Sequence, residues 1–207
     1  MPRLLILTGP QGSGNHLFSK VFALHEDVYG WKSLLNTYWE GHHHEPFADY
    51  WANPELLNGF DWEQSDYYVT SISCPYYKDG VPNVPNFFDF IDIAEEYCDI
   101  EVAIIGRDPN ILEYQQERVR GSHTTPLAIE SFDYMLERFD VNYLSQELLY
   151  LYRERYLQTI ERQLDFPIAH FDPELETILT QDANRKYIKR ADEYWLDFEV
   201  HRAMRES

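Results

Sequence analysis

Cysteine and long apolar stretches are scarce in this chain of 207 residues. Its two cysteines, Cys74 and Cys98, have no spacing typical of a disulfide framework, which fits a reducing compartment. No apolar run approaches the length of a membrane span, and the chain starts on a short strand rather than on a signal peptide. We therefore expect a cytoplasmic protein with no membrane partner.

Basic residues are scarce as well. The chain has 17 Lys and Arg residues against 36 Asp and Glu residues, which gives a formal net charge of −19. This balance argues against nucleic acid as a partner, because non-specific binding of nucleic acid requires a cationic surface. Any site for a polyanion in this chain has to be locally basic, so each Arg or Lys near such a site is informative.

Aromatic residues are abundant, at 16% of the chain, and the hydrophobic share is 44%. A chain of this length and composition can bury a substantial core and is not expected to be disordered in bulk. We predict a single domain over residues 1–207. The oligomeric state stays open.

The most informative stretch is 4–18, where an apolar run leads into a glycine-rich turn and then into a helical pattern. A strand, a loop and a helix N-terminus in this order form a phosphate-binding P-loop, in which backbone N–H groups turn inward. The loop residues predicted to bind a phosphate group are Gly12, Ser13, Gly14, Asn15 and His16. A tight strand–helix turn without a ligand is the alternative interpretation.

The loop lacks two residues that nucleotide hydrolases use. Gly9 and Gly14 have the Walker A spacing, but Asn15 replaces the lysine that contacts the β- and γ-phosphates. His16 replaces the Ser or Thr that holds magnesium. The loop therefore predicts phosphate binding and disfavours ordinary hydrolysis of ATP or GTP.

Strand and helix patterns alternate along the chain, which predicts an α/β protein with a three-layer P-loop fold. Its central sheet is expected to be mainly parallel, with about four to five strands flanked by helices. The predicted strands are Leu4–Leu7, Tyr67–Ser73, Val102–Ile105 and Phe166–Phe171. The predicted helices are 87–97, 111–120, about 145–164, 173–179 and the tail after Gln181.

In such a sheet, ligands bind beyond the carboxyl ends of the strands. The residues that follow Leu7, Ser73, Ile105 and Phe171 are therefore expected to surround one site. Residues 30–66 interrupt the alternation and are rich in Trp, Tyr and His. We interpret them as an insertion of short helices and loops at the sheet edge, which could act as a substrate lid.

Several segments resemble the P-loop sulfotransferases. Ala103–Asn110 resembles a segment with which that family holds the 3′-phosphate of its donor. In the family, this segment is a strand followed by the motif Arg-Asp-Pro or Arg-Asn-Pro. Ser13–His16 stands where the family has Ser-Gly-Thr-Thr, and Ser71–Pro75 where many members have a strand ending Lys-Thr-His-Leu-Pro. Phe166–Phe171 is similar to the late strand that ends in Tyr-Glu-Asp-Leu.

This resemblance implies a donor, 3′-phosphoadenosine 5′-phosphosulfate, and no required metal. The loop would bind the 5′-phosphosulfate, and Arg107 and Gln115 would bind the 3′-phosphate. The enzyme would transfer a sulfuryl group to a hydroxyl or amine of a small acceptor. Gln11 and Gly12 replace a basic residue of the family's loop, so Lys20 and Lys32 are considered as other sources of positive charge.

The general base is not evident, because Ser73-Cys74-Pro75 lacks both the Lys and the His of many relatives. We expect His16 or His43 to serve as a catalytic residue, since an imidazole titrates near neutrality. A polar loop without a catalytic role is the alternative for the histidines at 42–44. We predict no metal site there, because consecutive histidines in an extended loop cannot all point one way.

Two other functions fit parts of the sequence. The spacing of Gly9 and Gly14 also suits a P-loop kinase that acts on a nucleotide or a small molecule, with Asp108 near magnesium. The missing base at the strand end suits a non-catalytic protein that binds a phosphate or a nucleotide. Magnesium-dependent turnover of ATP would distinguish the kinase from the other two.

Overall fold

A computed structural model describes residues 1–37, 40–78 and 80–180. Its main sheet has five parallel strands: β1 (Arg3–Pro10), β2 (Val28–Tyr29), β3 (Tyr67–Cys74), β6 (Asp99–Gly106) and β7 (Val141–Ser145). Their spatial order in the sheet is β2-β3-β1-β6-β7. A separate antiparallel hairpin is formed by β4 (Tyr76–Lys78) and β5 (Val81–Asn83).

Seven α-helices lie in the described ranges, and the sheet is flanked by them on both faces. They are α1 (Asn15–Ala23), α2 (Ala48–Ala52), α3 (Phe87–Ala94), α4 (Pro109–Arg120), α5 (Thr125–Leu136), α6 (Gln146–Leu164) and α7 (Pro173–Thr180). The predicted α/β class, with a mainly parallel sheet of four to five strands, is confirmed. The predicted helix after Gln181 lies outside the described residues. No helix of the described ranges is long and apolar enough to cross a membrane.

The two faces of the sheet are both buried, which explains the continuous apolar run of β1. Leu4 and Ile6 point to the side of α3 and α5, whereas Leu5 and Leu7 point to the side of α1, α6 and α7. A central strand of a parallel sheet has no solvated face, so its sequence does not alternate. The same reasoning applies to β6, where Val102–Ile105 is buried throughout.

The predicted strand at Phe166–Phe171 is wrong. Residues 166–171 form no strand, although Phe166 is buried between the rings of Phe22 and Tyr67. The last strand is instead Val141–Ser145, in which Leu144 is the one buried residue. An edge strand with a single buried side chain has almost no apolar run, whereas loop residues that pack on a core produce one without ladder hydrogen bonds.

Residues 30–66, interpreted above as an insertion, contain several short helices. Besides α2, they form 3₁₀ turns at Lys32–Asn36, His42–His44 and Pro54–Gly59. Several aromatic side chains of this segment belong to the core on the α3 side of the sheet: Phe47 is fully buried, and Trp51 stacks on Phe90 at 3.7 Å. Much of this segment is therefore a packed layer of the fold.

Candidate active site

The loop between β1 and α1 makes a tight turn that requires glycine. Ser13 N donates to Pro10 O at 3.0 Å. A Cβ on Gly9 would lie 2.4 Å from Ser13 Oγ and 2.6 Å from Ile105 O, so β6 approaches too closely for a side chain. Gly14 has φ of 116°, a conformation that side chains strongly disfavour. The loop geometry is therefore set by backbone packing.

The start of α1 can attract an anion. Gly14 is its N-cap and has no side chain with which to cap the helix. The N–H groups of the first turn have no partners within a helix, and the helix dipole places partial positive charge there. A sulfate or phosphate group is a suitable ligand for such an end.

Asn15, at the Walker lysine position, connects α1 to the end of β3. Its side chain is buried and accepts a hydrogen bond from Ser13 Oγ at 3.4 Å. Its Nδ2 donates to Ser73 Oγ at 3.0 Å. The structure thus brings Ser13, Asn15 and Ser73 together at the carboxyl ends of β1 and β3.

Arg107 and Gln115, the residues predicted to bind the 3′-phosphate, lie at the loop. Arg107 follows β6 directly, and its Nη1 donates to Gly12 O and to Gln115 Oε1, both at 2.9 Å. Gln115 projects from the second turn of α4, whose N-cap Asp108 accepts from the N–H groups of Asn110 and Ile111. The guanidinium therefore supplies positive charge where the loop itself has none.

Gln11 gives the loop a further polar contact, with a neutral side chain. Gln11 is buried, and its backbone oxygen accepts from Gln116 Nε2 at 2.9 Å. The two lysines considered as cations bond elsewhere: Lys20 Nζ donates to Thr37 O, and Lys32 Nζ donates to His25 O beyond the far end of α1. Burial also lowers the pKa of Lys20.

The corner between β7 and α6 also borders the loop, although none of its residues was predicted from the sequence. Glu147 Oε1 accepts a hydrogen bond from Asp108 N at 2.9 Å and so connects α6 to the Arg107 turn. Gln146 packs against Gly14, since a Cβ on Gly14 would lie 3.3 Å from Gln146 Cδ. The capping Ser145, whose Oγ accepts from Leu148 N, is the signal that marks this helix start. We call Gly12–Asn15, Arg107, Gln115 and Gln146 the cradle.

Beside the cradle, three aromatic rings pack together. The His16 ring lies 5.1 Å from Trp31 and 4.7 Å from His42. His16 Nε2 is 3.1 Å from Glu40 O, and the Glu40 carboxylate accepts from Trp31 Nε1 at 2.6 Å. We call His16, Trp31, Glu40 and His42 the histidine cluster.

His43 lies apart from His16. Its side chain is exposed and packs on His44, with ring centroids 4.1 Å apart. The histidines at 42–44 form a 3₁₀ turn rather than an extended loop. Of these three rings, His42 is the one that contacts the His16 ring within the described ranges. Among the described residues, no three His, Cys, Asp or Glu side chains form a group that could hold a metal ion.

Glu45 follows this turn and is buried. Burial raises the pKa of its carboxyl to about 8, although Oε2 accepts a hydrogen bond from Phe47 N at 2.9 Å. Burial also raises the pKa of the Cys74 thiol, at the end of β3, to about 11, which disfavours the nucleophilic thiolate.

No protein-family model and no curated protein sequence matches this chain. A solved structure does: the sulfotransferase domain of the olefin synthase from Synechococcus PCC 7002, with a TM-score of 0.53. The chain has a sulfotransferase-like fold. The two chains are 15% identical, and the match covers 88% of this chain and 78% of the other. In this fold, the cradle lies at the carboxyl ends of β1, β6 and β7.

Proposed function

We propose that the protein is a sulfotransferase-like enzyme of the cytoplasm. It transfers a sulfuryl group from 3′-phosphoadenosine 5′-phosphosulfate to a hydroxyl or amine of a small acceptor. The observation that carries the proposal is the position of Arg107, which reaches both the loop at Gly12 and the helix residue Gln115. This places a bidentate cation beside a helix start in a chain of strongly negative net charge.

The residues present fit this donor. The loop N–H groups and the start of α1 would hold the 5′-phosphosulfate, with Ser13 and Asn15 shaping the turn. Arg107 and Gln115 would hold the 3′-phosphate, for which the guanidinium must exchange its bond to Gly12 O for phosphate oxygens. The absence of a Ser or Thr at position 16 favours a donor that does not need magnesium.

His16 is the proposed general base. Its Nε2 faces a carbonyl oxygen, which only accepts, so Nε2 carries a hydrogen and Nδ1 is the basic nitrogen of the neutral ring. The contacts with Trp31 and His42 hold the ring in place at the first turn of α1. His43 stays the second candidate base on the sequence pattern.

The chemistry needs positioning, charge stabilisation and one proton transfer. When bound, the donor supplies a sulfur atom that the acceptor oxygen or nitrogen attacks in line, while the bond from sulfur to the phosphate oxygen breaks. His16 Nδ1 receives the acceptor's proton, and the loop N–H groups and Arg107 stabilise the charge left on the phosphate. Residues of the segment 30–66 beside His16 would form one wall of the acceptor site.

The test is a calorimetric titration with 3′,5′-adenosine bisphosphate, and with ATP in the presence and absence of magnesium. We expect the bisphosphate to bind independently of magnesium. Arg107→Ala should weaken this binding by about 100-fold, as for a lost charge-assisted bidentate contact. Arg155→Ala, on the exposed surface of α6, is the matched control and should bind like the parent protein.

Each result has a definite meaning. Binding of ATP only with magnesium would move the protein to the kinases. Binding of the bisphosphate without transfer to any hydroxyl or amine would support a non-catalytic nucleotide-binding protein. Unchanged affinity in Arg107→Ala would contradict the assignment of the 3′-phosphate site.

A further inference from the structure

Gln146 is the first residue of α6 and lies against the phosphate loop. The amide group approaches Gly14 closely: a Cβ on Gly14 would lie 3.3 Å from Gln146 Cδ and 3.4 Å from Oε1. The residue is 8% exposed, and Oε1 has no hydrogen-bond partner among the described residues. Buried polar atoms in folded proteins almost always have a partner, so this oxygen requires an explanation.

A purely structural role does not account for this amide. A side chain that only filled space beside Gly14 would be better apolar, because an unpartnered buried oxygen destabilises the fold. The surrounding elements are otherwise well bonded: Ser145 caps α6, and Glu147 accepts from Asp108 N. The missing partner of Gln146 is therefore local to the cradle.

The chemistry of the oxygen limits what that partner is. An amide oxygen only accepts hydrogen bonds, and ionised phosphate and sulfate oxygens have no hydrogen to donate. The partner must therefore carry an N–H or O–H group. The nucleoside part of the proposed donor has such groups in its ribose hydroxyl and its exocyclic amine, and its phosphates do not.

We propose that Gln146 contacts the nucleoside part of the bound donor, with its side-chain amide oxygen accepting a hydrogen bond from a hydroxyl or amine of that nucleoside. This inference rests on the proposed function, because it assumes that the cradle holds the nucleotide's phosphates. The bound nucleotide would then be contacted at three places: by the loop, by Arg107 and by Gln146 at the corner between β7 and α6. The terminal amide rotates about χ3 without moving α6, so it can turn from Gly14 toward a ligand.

The test compares two probes on Gln146→Met, which preserves side-chain length and removes the hydrogen bond. Binding of 3′,5′-adenosine bisphosphate should weaken by about tenfold, the size expected for one neutral hydrogen bond. Binding of pyrophosphate, which has no nucleoside, should be unchanged. Gln158→Met, on the exposed surface of the same helix, is the control and should change neither the affinity for the bisphosphate nor that for pyrophosphate.

Thermal unfolding of the same variants separates this role from a structural one. Gln146→Met should unfold at the same or a higher temperature than the parent protein, because it removes an unpartnered buried oxygen. If Gln146→Met loses thermal stability and binds both probes more weakly by the same factor, Gln146 only shapes the loop, and the inference is overturned. Equal affinity of variant and parent for the bisphosphate would overturn it as well.

Failure of the proposed function is distinguishable from failure of this inference. If the parent protein binds pyrophosphate but not the bisphosphate, both the donor assignment and the nucleoside contact are wrong. If the parent binds the bisphosphate tightly, in an Arg107-dependent manner, and Gln146→Met does so equally, only the inference on Gln146 is wrong.

Discussion

The cradle and the histidine cluster are neighbours, but they are built by different means. The cradle is made mainly of backbone and of side chains that directly follow strand ends, such as Arg107 and Gln146. The histidine cluster joins His16 on α1 to Trp31 and His42 from the segment 30–66 through ring packing, and His16 Nε2 also contacts Glu40 O. A site built on strand ends follows from topology, whereas one built from a loop layer depends on how that layer packs.

This contrast has a functional consequence. In the proposed enzyme, the cradle holds a donor whose phosphates are the same whatever the acceptor, so backbone groups and one arginine are sufficient. The histidine cluster would face the acceptor, and its residues other than His16 come from the segment 30–66, which departs from the regular alternation of strands and helices. Acceptor choice would therefore be set by residues 30–66, as is usual for loops carried on a rigid scaffold.

The largest expected effect is the loss of sulfuryl transfer when the proposed general base of the histidine cluster is removed. His16→Ala should reduce sulfuryl transfer by about 100- to 10,000-fold, the range for loss of a general base, while bisphosphate affinity stays within about threefold. The measurement is turnover with a phenol or amine acceptor found by screening. His43→Ala is the paired variant: if it loses as much activity and His16→Ala does not, the base is His43.

The second effect concerns the stability of the layer that carries the cluster. Since burial raises the pKa of Glu45 from 4.5 to about 8, the fold favours the neutral carboxyl. The neutral Glu45 carboxyl therefore stabilises the fold fully below pH 4.5, the pKa of the unfolded chain. This stabilisation is lost as the pH rises through about 8, the pKa in the folded protein. Glu45→Gln mimics the neutral form, so the variant should gain stability relative to the parent across this window, by at most about 5 kcal/mol.

Urea denaturation at pH 5 and at pH 8.5 measures this difference. Glu26→Gln, at an exposed position, is the control: its free energy of unfolding should differ from that of the parent by the same amount at both pH values. A difference between Glu45→Gln and the parent that does not change with pH would contradict the buried, neutral state of Glu45.

The third effect tests the backbone of the cradle. Gly14→Ala should destabilise the fold by about 1–3 kcal/mol and weaken bisphosphate binding, because φ is 116° and the new Cβ meets Gln146. Adding Gln146→Ala removes the contact but not the backbone strain, so it should restore only part of the stability. Gly59→Ala, where a Cβ meets nothing within 4 Å, is the control. Full restoration in the double variant would show that crowding, rather than backbone conformation, requires glycine.

The smallest effect tests the hydrogen bond between the loop and β3. Ser73→Ala removes the acceptor of Asn15 Nδ2 and should lower the free energy of unfolding by about 1 kcal/mol. Bisphosphate affinity should fall slightly, because Asn15 is then held less firmly. The exposed Ser122→Ala is the reference. A change in affinity without a change in stability would mean that Ser73 itself contacts the ligand.

The strands with continuous apolar runs were predictable, and so was the helix start after Gly14. Both β1 and β6 are buried on two faces, which leaves a clear signal in the sequence. The edge strand Val141–Ser145 was not predictable in this way, because it buries only Leu144. Phe166 produced a false strand signal, since its burial comes from packing against Phe22 and Tyr67.

The sequence alone determined the α/β class, the loop of Gly12–Asn15 and the position of Arg107 at a strand end, because local patterns encode strand ends and glycine turns. Only the tertiary structure decided that Gln146 reaches the loop, that His42 rather than His43 contacts His16, and that Glu45 is buried. These contacts join residues far apart in the chain or depend on which way one turn faces. Such relations arise from packing, and no local spacing records them.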